Sequence, residues 1–245
     1  SRTAPRSWCP GPTSRSSRAE LVAEGWRGAV EPGLQAVRAN LRPFLLIQAC
    51  ALALLAAYYA SPAFQRAGEP LIRFKDSAGL AFSAASTMFA GYVLPWLAKR
   101  AVGVRERDDA REIALQCSLF ALLGSIIDLW YRGLAVVIGA GTGPGIVAIK
   151  VLADQFVFSP LVSIPISTAM FGWRDAGFSL ARTRALFGGG EFARRYWPLL
   201  VTCWCFWLPI LCVVFALPVG LQFWMFLCAQ AAWSLLLVHV NRRSP

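Results

Sequence analysis

The chain has 245 residues, 57% of them hydrophobic and 15% charged, with a formal net charge of +11. Soluble domains average about 45–50% apolar and about 25% charged residues, so this composition excludes an ordinary soluble domain and predicts an all-α, polytopic helical membrane bundle. The basic residues gather at the ends of long apolar runs, which assigns the positive charge to membrane topology and not to nucleic acid.

Residues 1–41 read as an N-terminal extension and residues 42–245 as the membrane domain. The first nineteen residues are rich in Ser, Pro and Arg, with Arg2, Arg6, Arg15 and Arg18 and no acid before Glu20. This composition resembles an organelle-targeting segment or its remnant. A free tail of this kind lacks the apolar surface to fold by itself, so it is expected to lie on a partner subunit or on the membrane surface. Glu20–Asn40 carries Leu21, Val22, Trp26 and Val30 at amphipathic spacing and is expected to form an interfacial helix.

Six membrane segments are expected next. Pro43–Ala60 is an almost unbroken apolar run, closed by Ser61-Pro62, with alanines at 49, 53 and 57 that favour close helix approach. The second, Ala78–Leu97, ends near Trp96, and the third, Ile113–Tyr131, ends in Trp130-Tyr131; such aromatic rings anchor at interfaces. A glycine-rich loop, Gly139–Gly145, leads to Ile146–Phe171, which is expected to kink at Pro160 and Pro165. Pro198–Leu217 and Val219–Val240 form one charge-free stretch broken at Pro218-Val-Gly220, read as a tight helical hairpin.

Six crossings place both termini on one side, here called side A. Side A then receives seven, five, five and two Lys or Arg residues from the N-terminal region, loop 98–112, loop 172–197 and the C-terminus. Side B receives three from loop 61–77 and one from loop 132–145. This asymmetry supports the six-crossing topology under the positive-inside rule, whereas dropping the first crossing spoils it.

The chemically distinctive stretch is Lys150–Pro160, where Lys150, Asp154 and Gln155 open an apolar run. A charge costs several kcal/mol in hydrocarbon, by roughly 2.5–3.5 kcal/mol or more at a bilayer centre. Asp154 should lie about 6 Å deeper than Lys150 at 1.5 Å per residue. Asp128 and Arg132 are expected at the same end of the preceding span. The four charges sum to zero, which favours a self-neutralising network locking spans three and four, with Asp154 paired to Lys150 or Arg132, over a vestibule for a charged solute or proton. The basic residues Arg174, Arg182, Arg184, Arg194 and Arg195 form a positive-inside loop that faces lipid headgroups. Seven cysteines, none in C-x-x-C, and a single histidine, His239, give no metal set and no catalytic triad. No cofactor is expected.

An ordered set of residues resembles the Mpv-type family, that of the twenty-two-kilodalton peroxisomal membrane protein. Asp108 and Arg111 fit D-x-x-R. Gly124, Trp130 and Tyr131 fit G-P-x-x-H-x-W-Y, with Ser125 and Asp128 replacing proline and histidine. Lys150, Asp154, Gln155 and Pro160 fit K-x-x-x-D-Q-x-x-x-x-P, Leu217-Pro218 fits the closing V-P, and Trp233 follows at the family's spacing. The resemblance covers roughly residues 105–240. It implies an integral protein of the mitochondrial inner, peroxisomal or a related organellar membrane, with small-solute pores among family functions. Polar family positions in the last helices appear here as Ile210 and Val213, and a later arginine as Gln222. The resulting expectation is a non-catalytic accessory subunit of a larger membrane complex, in the mitochondrial inner membrane with peroxisomal and plastid membranes as alternatives. A small-solute channel or transporter is the competing reading.

Overall fold

A computed structural model describes residues 30–31, 34–35, 37–38, 41–101, 103, 109–187 and 191–241. The expected interfacial helix falls almost entirely outside the described residues, and so does Asp108. The described chain is helical throughout: α1 Leu41–Ala60, α2 Pro62–Ala101, α3 Ala110–Val137, α4 Pro144–Asp175, α5 Leu180–Phe187, α6 Glu191–Ala216 and α7 Val219–Asn241. Helices α1, α2, α3, α4 and α6 are long and apolar enough to cross a membrane, and α7 contributes a shorter apolar stretch, Val219–Leu235. Large apolar side chains face outward on these helices, among them Leu46, Leu122, Val136, Val137 and Leu161. Polar groups such as Lys75, Asp128, Asp154 and Gln155 lie inside. An apolar exterior around a partly polar interior is compatible with an integral membrane protein.

The contacts fix how the long helices run. Thr87 meets Gly124 and Gly91 meets Phe120, so α2 and α3 are antiparallel. Trp130 stacks on Phe158 while Arg174 reaches Glu112, making α3 and α4 antiparallel. Gln155 bonds Trp204 and Pro160 bonds Tyr196, so α4 and α6 are antiparallel too. Along α1, Phe44 meets Phe206 and Tyr59 donates to the Ala216 carbonyl at 2.6 Å; these two helices are parallel. That is the relation an alternating six-helix order demands of its first and fifth members.

One element differs from the sequence reading. Residues 61–77, expected as a loop, form the first half of α2. Ser61-Pro62 ends α1 and also starts α2: the Ser61 Oγ accepts from the Phe64 N–H at 3.3 Å, and Pro62 occupies the first helical turn. The chain turns at Gly79, whose φ of 57° and ψ of −141° suit glycine alone. The first half of α2 covers the α6–α7 hairpin, where a Cβ on Gly220 would come within 2.7 Å of Ile72. The hairpin itself forms as expected, with α6 ending at Ala216 and the Leu221 N–H bonded to the Pro218 carbonyl at 2.8 Å.

The core is dominated by large rings and branched side chains on α3, α6 and α7. Phe206, Ile210, Val214 and Phe215 are fully enclosed. Tyr131 meets Phe215 and Phe226 edge-on, and Trp233 packs on Phe44 and Phe206. Such ring pairs add about 0.5–1.5 kcal/mol each beyond their burial.

Candidate functional site

The expected kink in α4 is a change of helical register. Asp154–Ser163 is π-helical, and the Ile164 N–H bonds the Ser159 carbonyl five residues back. In that i→i+5 register, Pro160 lacks the N–H that would bond the Gln155 carbonyl, and Pro165 lacks the one that would bond the Pro160 carbonyl. Both orphaned carbonyls are satisfied from α6. The Trp204 Nε1 donates to the Gln155 oxygen at 2.7 Å, and the Tyr196 hydroxyl donates to the Pro160 oxygen at 2.9 Å. In hydrocarbon an unsatisfied carbonyl is costly, so two proline gaps become two stitches between α4 and α6.

Two clusters of ion-paired residues stand out among the described residues. On the side-B half of the bundle, the Lys75 Nζ of α2 lies 2.5 Å from Asp128 Oδ1 of α3. Arg132, one turn along α3, reaches Asp128 Oδ2 at 3.0 Å. Asp128 is 1% exposed and Lys75 4%. Near the side-A ends, Arg174 pairs with Glu112 at 3.6 Å and Asp175 at 3.0 Å, and Arg195 meets Asp175 at 2.5 Å. The second cluster ties together the ends of α3, α4 and α6.

These contacts correct one expectation. Asp154 pairs with neither Lys150 nor Arg132. Its Oδ1 accepts from the Gln155 Nε2 at 2.9 Å, while Arg132 is held by Asp128 and the Lys150 Nζ is buried without a hydrogen-bond partner. Acid following base at i, i+4 is the weaker helical order, and Gln155 already occupies the carboxylate. In the basic loop, Arg174 and Arg195 meet acidic side chains, and Arg182, Arg184 and Arg194 lie at the protein surface. The sequence reading missed Lys75 as the main partner of Asp128. The Ser61-Pro62 start signal was the available clue, since a helix beginning there carries Lys75 towards α3.

Asp154 and Gln155 border a cavity of about 90 Å³ between α2, α3, α4, α6 and α7. Its polar lining includes Thr87, Ser159, Ser163, Cys203 and Gln230, and its apolar wall includes Phe120, Leu123 and Trp207. The Thr87 Oγ1 and Gln155 Oε1 are buried with no hydrogen-bond partner. Most of the wall is apolar, and the volume exceeds the roughly 10–15 Å³ needed to hold one water. Among the described residues no group of three or more His, Cys, Asp or Glu could hold a metal ion. The chain matches no family model, no curated protein and no solved structure.

Proposed function

We propose that this protein is a non-catalytic structural subunit of a larger organellar membrane complex, built on a divergent Mpv-type bundle and placed in the mitochondrial inner membrane. The observation that carries this reading is the Lys75–Asp128–Arg132 cluster: a carboxylate 1% exposed is held by the chain's own cations from two helices. Charges committed to each other in this way hold helices together and leave little for a passing solute. The residues behind the family resemblance occupy interhelical positions in the same spirit: Gly124 against Thr87, Trp130 on Phe158, and Trp233 on Phe206. Mild extraction and affinity purification of the tagged chain tests the proposal, with other polypeptides expected in fixed stoichiometry.

A second reading, a small-solute channel or transporter of the Mpv type, is favoured by one observation, the interhelical cavity bordered by Asp154 and Gln155. Solute flux through liposomes containing only this chain would select it over the first.

A further inference from the structure

We infer that the first half of α2, residues 62–78, lies in the membrane plane and docks its exposed edge of Phe64, Leu71 and Phe74 among the lipid acyl chains of the side-B leaflet. As a straight rod the 40 residues of α2 would run about 60 Å at 1.5 Å per residue. That is twice the roughly 30 Å of a hydrocarbon core. Residues 80–101 alone reach about 33 Å and complete the crossing, so the half before the Gly79 turn lies outside it.

The hairpin sets the level of this half. Gly68 meets Leu221, and Ile72 meets Gly220. The Trp224 Nε1 donates to the Leu71 carbonyl at 3.2 Å, and the Lys75 Nζ sits 5.0 Å from the centre of the Phe223 ring. Residues 68–75 advance about 10 Å along their own helix, while these contacts stay within residues 220–224, the opening of α7. The half helix therefore crosses over the start of α7 instead of running down the bundle beside it.

Its side chains sort into three faces at helical spacing. Gly68, Ile72 and Lys75 turn to the bundle. Arg66, Glu69, Arg73 and Asp76 gather on the opposite side and are exposed. Phe64, Leu71 and Phe74 form an apolar edge between the two, 43%, 43% and 56% exposed. This edge continues into the membrane-crossing half: the Phe74 ring packs edge-on against Phe82 at 5.5 Å between centroids. Ala85 and Phe89 follow on the same helical face and are exposed. Lipid covers the outer face of a crossing helix, and the continuity of the two surfaces identifies the same occupant for the edge. An apolar edge beneath a charged back is the pattern of an interfacial helix. Two arginines face two acids on that back, so the acyl chains carry the contact and an anionic headgroup adds little. The surface belongs to the bundle and serves a subunit and a channel alike.

The test places the photoreactive residue p-benzoylphenylalanine at position 64, 71 or 74 of the full chain, with positions 66 and 73 as controls. Each variant is irradiated in nanodiscs of phosphatidylcholine, with and without added phosphatidylglycerol, and lipid adducts are read by mass spectrometry. Adducts are expected at 64, 71 and 74 in phosphatidylcholine alone, and their loss is expected at 66 and 73. Three independent edge positions keep the test decisive if one variant does not fold. Absence of lipid adducts from the edge would overturn the proposal, as would equal yields at all five positions or adducts that require phosphatidylglycerol. Irradiation in the chain's own membrane separates the other occupants. Lipid adducts should persist there, and cross-links from the edge to a second copy or to another polypeptide in place of lipid would overturn the proposal.

Discussion

Lys75 Nζ and Asp128 Oδ1 lie 2.5 Å apart, fifty-three residues apart in sequence, and join α2 to α3 inside the bundle. Removing one partner of such a pair strands the other charge, at about 3–5 kcal/mol. Lys75→Met is expected at the lower end of that range, because Arg132 still reaches Asp128. Lys75→Met with Asp128→Leu should cost less than either change alone. Unfolding of the purified protein in bicelles measures all three variants. A double-variant loss equal to the sum of the two single losses would show that the pair holds nothing.

The stitches from α6 to α4 give a second expectation. Trp204→Phe and Tyr196→Phe each remove one donor, and membrane hydrogen bonds of this kind are worth about 0.6 kcal/mol and at most roughly 1.7 kcal/mol. Pro160→Ala restores a backbone N–H within reach of the Gln155 carbonyl. Trp204→Phe should therefore cost measurably less in the Pro160→Ala background. A double-mutant cycle on unfolding free energy reads this coupling, and perfect additivity would break the link between the π register and Trp204.

Helix α3 comes close to α2 at Gly124, where an added Cβ would lie 2.3 Å from Thr87 Oγ1 and 2.6 Å from the Ser83 carbonyl. Gly124→Ala should destabilise the bundle by about 1–3 kcal/mol through overpacking. Gly133→Ala is the control on the same helix, since nothing lies within 4 Å of its added Cβ. Parallel expression and melting of the two variants checks the contrast; similar behaviour would mean that α2 and α3 do not pack at Gly124.

The parallel relation of α1 and α6 sets the expected topology. Both termini should face the same compartment, with Gly139–Gly145 and the Pro218 hairpin facing the other. Cysteine labelling in sealed organelles, with single cysteines placed at residues 141 and 185, should modify them from opposite sides. Labelling of both from one side would remove the alternating order of α3, α4 and α6.

Much of this architecture is legible in the sequence because long apolar runs leave few choices. Helices α1, α3, α4, α6 and α7 appear where the runs do, and the Pro218 turn interrupts a stretch too long for one crossing. The first half of α2 was hidden because Arg66, Glu69, Arg73, Lys75 and Asp76 lower its hydropathy, and Ser61-Pro62 reads as a stop as well as a start. Asp128 could be recognised as a buried charge, but its partner came from another helix, and only packing brings Lys75 to it. The pairing of Asp154 with Lys150 followed from α-helical spacing alone. The Gln155 amide claims the carboxylate instead. Pro160 and Pro165 announced a disturbance in α4, yet the π register depends on donors supplied by Trp204 and Tyr196 some forty residues later.

The most direct measurement of the proposed subunit role is the native mass of the tagged chain, extracted from its own membrane in mild detergent. The chain alone weighs 26.8 kDa. A stoichiometric assembly containing other polypeptides is the expected result, and it should persist in the Lys75→Met, Asp128→Leu double variant if that pair serves only the bundle. Recovery of the chain by itself, or only as copies of itself, together with solute flux in liposomes, would contradict the subunit role and leave the channel reading in its place.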